Sequence, residues 1–238
     1  MYFQGFVVPV PSENKQAYLD MANKVAPIFT ELGALRTVEC WGDDVMNGKV
    51  TDFKKAVQAN DRESVVLAWV WWPDKAACDA AAAKMMADER MKPDGPLPFD
   101  GKRMIFGGFE AVFDTGDNDR IGYVDGLVAS VPNGARQSFV DHAAKVARLF
   151  LEKGALRIVD GWGVAVPAGK VTDFQRAVQA KDGETVIYGW IEWPDKSTRD
   201  AGMGALMTDP RMREVAPPWN GQLAIFGGFS PVLDTNHS

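Results

Sequence analysis

Gly33-Ala34-Leu35-Arg36 returns 121 residues later as Gly154-Ala155-Leu156-Arg157. Gly48-Lys49-Val50-Thr51-Asp52-Phe53 returns at the same interval as Gly169-Lys170-Val171-Thr172-Asp173-Phe174. Outward from these strings, residues 2–91 align with 123–212, and 98–115 with 218–235, where Ile105-Phe106-Gly107-Gly108-Phe109 reappears as Ile225-Phe226-Gly227-Gly228-Phe229. The interval far exceeds the roughly 20–50 residues of a solenoid repeat, and each copy is long enough to own a core. A whole domain is duplicated. The expected division is a first copy over 1–115, a linker over 116–121 that overlaps the polar stretch Asp114 to Arg120, and a second copy over 122–238. Tyr2-Phe3-Gln4-Gly5 looks like a protease-tag scar. Tyr123-Val124-Asp125-Gly126 holds the same register inside the chain, so the segment reads as native.

Each copy has one grammar. Phe3 to Val10 is a β-rich run ended by prolines. Tyr18, Met21, Ala22, Val25 and Phe29 recur at helical spacing after Ser12, and Gly33 supplies the left-handed stop. In the second copy Asn133 is the expected cap, Phe139, Ala143, Val146 and Phe150 the stripe, and Gly154 the stop. Leu35 to Trp41 reads as a strand. Phe53 to Gln58 and Ser64 to Trp72 read as a hairpin about the polar turn Asn60 to Glu63. Pro73-Asp74 opens an alanine-rich helix to Met86, and its counterpart after Pro194-Asp195 is expected to be broken by Gly202 and Gly204. Met104 to Phe113 is the last strand. The order is that of a ferredoxin-like α+β sandwich with an added strand. Helices cover one sheet face, and the other carries aromatics that one copy alone would expose. Two copies bury that surface by packing sheet on sheet, as an intrachain pseudo-dimer.

The strings Val38-Glu39-Cys40-Trp41-Gly42-Asp43-Asp44-Val45, Asp88-Glu89-Arg90-Met91 and Phe99-Asp100-Gly101-Lys102-Arg103-Met104-Ile105-Phe106-Gly107-Gly108-Phe109 resemble the YbaA-like bacterial family, a domain of unknown function. The similarity runs through both copies. It implies a dimeric α+β barrel, normally made by two short chains, and it carries over no activity or catalytic residue. The second copy departs from the string, with Asp160-Gly161-Trp162-Gly163-Val164-Ala165 in place of Glu39 to Asp44. A role that needs Cys40 or the paired aspartates is therefore one-sided.

Acidic residues outnumber basic ones 32 to 26, for a formal charge of −6, and no basic stripe offsets this. Nucleic acid is not an expected partner. No apolar run suits a membrane span. Cys40 and Cys78 have Gly161 and Arg199 as counterparts, so two free thiols in a reducing cytoplasm are expected. With two histidines in the chain, His142 and His237, a haem or histidine–metal site repeated in both copies is excluded by counting. No cofactor or metal is expected.

Strand alternation sorts the remaining candidates. Leu67, Trp69 and Trp71 are assigned to the face between the sheets, as are Tyr188, Trp190 and Glu192. Gly5 and Gly126 are assigned to the helix side, which turns Gln4 and Asp125 inward. Glu39 and Trp41, with Asp160 and Trp162, are assigned inward too. Asp125, Asp160, Trp162, Tyr188, Trp190, Glu192, Glu39 and Trp41 are the ligand-binding candidates. Carboxylates converging on an apolar interior would have raised pKa values suited to acid–base work. The function expected is small-molecule binding, extending to cofactor-independent chemistry on an apolar substrate. The alternative is a non-enzymatic binding or assembly protein with a solid barrel core. An interior cavity discriminates between them.

Overall fold

A computed structural model of the protein describes residues 1–93, 95–116 and 120–237. The middle of the expected linker, 117–119, lies outside them. The described residues form eight strands: β1 (Tyr2–Pro11), β2 (Arg36–Asp44), β3 (Glu63–Trp72), β4 (Ile105–Gly116), β5 (Tyr123–Pro132), β6 (Arg157–Ala165), β7 (Glu184–Trp193) and β8 (Ile225–Asp234). The helices are α1 (Lys15–Glu31), α2 (Phe53–Ala56), α3 (Lys75–Met85), α4 (Arg136–Glu152), α5 (Phe174–Ala177), α6 (Lys196–Thr208) and α7 (Pro210–Arg213). No helix among the described residues is long and apolar enough to cross a membrane.

The strands close into an all-antiparallel barrel in the order β1-β3-β2-β8-β5-β7-β6-β4. Within each repeat the order is that of the ferredoxin-like fold, with four strands. The added strand is absent, because Phe53 to Ala56 is helical rather than one arm of a hairpin. Asp52 accepts from the Lys55 amide (2.7 Å) and caps α2. Phe53 is fully buried against Phe229, with ring centroids 5.1 Å apart. Burial of this side chain by tertiary packing overrode the β propensity of the segment.

The barrel closes where the repeats exchange edges. β4 pairs with β6, and β2 pairs with β8, so neither repeat has both sheet edges satisfied by itself. The exchange recurs in the side chains. Arg36 forks onto Asp234 (2.8 and 2.6 Å) and Arg157 onto Asp114 (2.8 and 2.8 Å). Thr51 donates to the Ala177 carbonyl (2.6 Å) and Thr172 to that of Ala56 (2.7 Å), locking α2 to α5 at the opposite end. The interior between these closures is a packed aromatic core. Trp69 stacks on Trp190 at 4.3 Å, and Phe3 lies 5.4 Å from Phe109 and 5.0 Å from Trp190. Tyr188 reaches across to donate to the Ala68 carbonyl (3.0 Å).

Leu67, Trp69, Trp71, Tyr188, Trp190 and Glu192 face this interior, as their alternation predicts. The first and second strands of each repeat have the opposite parity to that expected. Gly5 pairs with Trp69, and a Cβ on it would meet Tyr188 at 2.9 Å, so Gly5 faces the interior and Gln4 faces the helices. The same holds for Gly126 and Asp125. Glu39 lies opposite Ala68, and Asp160 opposite Gly189, which puts Glu39, Trp41, Asp160 and Trp162 on the helix face. These glycines make room for side chains crossing the barrel, not for helices. A one-residue error in assigning a strand's face inverts every side chain on it.

The second repeat's α6 is unbroken. Gly202 lets it approach the sheet: a Cβ there would meet Trp193 and the Lys153 carbonyl at 2.8 Å.

Candidate functional site

With the barrel filled, the open space lies between sheet and helices. In the first repeat a cavity of about 750 Å³ has α1 as one wall and residues 91–93 and 95–99 as another. Phe6, Val8, Ala68 and Val70 form its floor. Glu39 stands on that floor, enclosed by protein but facing the cavity, and its Oε2 accepts from the Tyr18 hydroxyl at 2.8 Å. In the second repeat a cavity of about 500 Å³ lies between α4, the floor residues Leu127, Gly189 and Ile191, and a loop that contributes Pro217 and Trp219. Both volumes and their mainly apolar linings suit a small organic ligand.

Asp160 is the counterpart of Glu39, but its surroundings differ. Tyr18 has become Phe139, so no hydroxyl reaches the carboxylate, and Asp160 has no hydrogen-bond partner among the described residues. Its side chain is one methylene shorter and lies close over the sheet, where a Cβ on Gly189 would collide with Oδ1. The first repeat pairs the longer Glu39 with Ala68, and the second pairs Asp160 with Gly189. Gly189→Ala is expected to displace the Asp160 carboxylate and to cost about 1–3 kcal/mol in urea unfolding. The double change Gly189→Ala with Asp160→Glu, which copies the first repeat, should recover most of that loss. If the single variant unfolds like the parent, the carboxylate does not rest on Gly189.

Burial pushes Glu39 up to about 7 against the opposing hydrogen bond from Tyr18, and burial alone pushes Asp160 up to about 7. Each carboxyl can therefore gain or lose a proton near neutrality. Asp125 is also raised by burial, although Arg199 (2.6 Å) and the Trp193 indole (2.9 Å) both donate to it. Arg199 further donates to Asp44 (2.8 Å), and Lys196 and the Tyr123 hydroxyl donate to Asp43 (2.8 and 2.9 Å). The paired aspartates of the first repeat thus tie it to the second, and Asp44 with Arg199 forms part of the lining of the second repeat's cavity. That one-sided latch has no counterpart, because Val164 and Ala165 replace the aspartates.

Of the candidates read from sequence, the structure brings Asp125, Asp160 and, at its edge, the core residue Trp190 to one cavity and Glu39 to the other. Trp41 and Trp162 lie beyond the cavities against the first helices, Trp41 with Tyr18 and Trp162 with Phe139. Tyr188 and Trp190 are aromatic core, and Glu192 is fully buried there, accepting from the Trp190 indole at 2.8 Å. Cys40 and Cys78 are buried free thiols, both raised by burial. Among the described residues no cluster of histidine, cysteine and carboxylate could hold a metal ion.

Sequence reasoning missed Tyr18, His142, Gly189, Arg199 and Trp219. His142 lines the second cavity with its ring 5.0 Å from Trp219, and burial, with Lys145 adding to it, holds it below the ordinary histidine range. The signal for all five was a difference between the copies: Tyr18 against Phe139, Met21 against His142, Ala68 against Gly189, Cys78 against Arg199 and Phe99 against Trp219.

The comparisons agree with this architecture. Over 98% of the chain the fold is similar to that of an anthrone oxidase-like protein (TM-score 0.57, 12% identity, 92% of that chain). It is also similar to a "putative monooxygenase" of Lactobacillus acidophilus NCFM (TM-score 0.56, 13% identity, 98% of this chain and 94% of that one). Such identities speak for the fold alone. The uncharacterized protein YbaA of Escherichia coli K12 is 58% identical over 114 residues, which is 97% of its length and 48% of this chain. Residues 1–101 and 122–221 each match the family described as protein of unknown function (DUF1428), and the chain belongs to that family, carrying it in two tandem copies.

Proposed function

We propose that this protein binds apolar small molecules in the two cavities between sheet and helices, and that the carboxyl group on the floor of each, Glu39 or Asp160, exchanges a proton with its ligand. The observation that carries this reading is the pairing of an apolar cavity of organic-ligand size with one carboxyl on its floor that burial raises to about 7, built twice. A general acid or base works best when its pKa lies near the ambient pH. Glu39 and Asp160 meet that condition without any cofactor, and they return to their starting state by exchanging the proton with water. The solid barrel interior is the feature expected of an assembly protein. Here it serves as the rigid scaffold on which both cavity floors are laid.

Native mass spectrometry of freshly purified protein tests the reading. An apolar species is expected to leave with denaturation. Ala22→Trp and Ala143→Trp, which fill the two cavities from α1 and α4, are each expected to reduce its occupancy while leaving the far-ultraviolet circular dichroism intact. Retention of the species in the double variant would place it elsewhere and end the proposal.

A further inference from the structure

The two repeats contain a comparison that identifies the chemistry of the second cavity's ligand. In the first repeat a phenol already sits on the carboxylate: Tyr18 on α1 donates to Glu39 Oε2 at 2.8 Å. In the second repeat the ring is kept as Phe139 and the hydroxyl is gone, while the carboxylate is kept as Asp160. Asp160 is 8% exposed, lines the cavity, and has no hydrogen-bond partner among the described residues. Its oxygens open on the cavity with no donor among those residues, so the site offers an acceptor that an entering hydroxyl group fills in place of solvent. Around it stand Phe139, Val146, Phe150, Met203 and Trp219, a lining that favours a flat aromatic body.

We propose that the second-repeat cavity receives an aromatic molecule bearing a hydroxyl group, which donates its O–H to Asp160 as Tyr18 donates to Glu39. This rests on the small-molecule reading above and narrows it to one cavity and one ligand class. The shorter aspartate is seated low over Gly189, with its carboxylate at the floor of the cavity. A cationic amine suits the site less. The charged and titratable groups facing Asp160 are Asp44 from β2, Asp125 from β5, His142 from α4 and Arg199 from α6. Asp44 and Asp125 are both already engaged by Arg199. An ammonium would therefore enter an apolar space with only Asp160 to offset its lost hydration.

The donor favours the ionised carboxylate, so binding draws a proton off Asp160. Affinity should therefore rise with pH through about 7, the value to which burial lifts the free group. His142 does not supply this dependence, because burial holds it below the ordinary histidine range and its imidazole is already neutral over the rise. Asp125, also raised by burial, is distinguished from Asp160 by the Asp160→Asn variant.

The test uses the full chain with 2-naphthol, naphthalene and 2-naphthylmethylamine as probes, titrated by calorimetry below and above neutrality. 2-Naphthol is expected to bind about tenfold more tightly than naphthalene above neutrality, with the advantage shrinking below it. Asp160→Asn should remove the pH dependence, and Glu39→Gln should leave it in place. Phe139→Tyr, which restores the first repeat's hydroxyl, should satisfy Asp160 internally and weaken 2-naphthol by a similar factor, so the proposal remains testable if Asp160→Asn fails to fold. Equal binding of 2-naphthol and naphthalene at every pH overturns the hydroxyl assignment while leaving the cavity reading standing. Tighter binding of the amine overturns it in favour of a cation site. Failure of all three probes to bind overturns the cavity reading and this proposal with it.

Discussion

Residues 1–116 produced alone are expected to yield no stable monomer. Without the second repeat, β2 loses β8, β4 loses β6, and the face carrying Phe3, Trp69, Trp71 and Phe109 meets water. Each such side chain contributes roughly 1.5–3 kcal/mol when buried, so a few of them exceed the whole stability of a small domain. The fragment should self-associate through the exposed edges, but imperfectly. In the intact chain the Phe3 ring lies directly on Gly161, leaving no room for a Cβ. The first repeat has Cys40 at that position, so a homodimer of 1–116 would press Phe3 against a cysteine twice. Overpacking of this kind costs about 1–3 kcal/mol at each site. Adding residues 120–238 should therefore draw the fragment into a one-to-one complex that melts above the homodimer. Light scattering after size exclusion and thermal denaturation read both outcomes. A cooperative monomer of 1–116 as stable as the full chain would contradict the shared-barrel account.

Asp160→Asn is expected to stabilise the protein, and to do so only where the native carboxyl would ionise. The folded-state value of Asp160 is raised to about 7 from an ordinary 3.8. Between those values the folded chain keeps a proton that the unfolded chain has lost, so native stability falls as pH rises through the window. Below about 4 both states are protonated and the penalty is absent; above about 7 it is fully present. At about 1.4 kcal/mol per unit the gain at pH 8 should exceed that at pH 4 by on the order of 4 kcal/mol, while the cost of unpartnered amide N–H groups lowers the variant equally at both. Glu39→Gln should gain less, since its shift is smaller and Tyr18 already offsets part of the burial. Urea unfolding at both pH values measures the difference. A gain of the same size at both would mean that Asp160 is not titrating in this window.

Asp125 shows why the candidate site was only half legible from residues. Its presence as an acid in the second copy against Gln4 in the first was visible, and it marked the repeats as unequal. Its bonds to Arg199 and Trp193, and through Arg199 to Asp44 of the other repeat, join positions up to 155 residues apart and left no local pattern. The candidate residues were therefore named more reliably than their surroundings.

The sequence by itself determined what local chemistry decides. Gly33 and Gly154 end the first helices at φ of +102° and +98°, Asp74 and Asp195 cap the helices after β3 and β7, and the alternation of Leu67, Trp69 and Trp71 fixes one face of β3. Duplication then required the aromatic faces to meet. Tertiary structure alone decided which way β1, β2, β5 and β6 face, because alternation states that neighbours point oppositely but not which one points inward. That choice was made across the barrel, by Tyr188 over Gly5 and Phe3 over Gly161, between residues with no proximity in sequence. It moved Glu39 and Asp160 from the filled interior to the cavities under the helices, and a cavity is the space that packing leaves between elements, which composition does not encode.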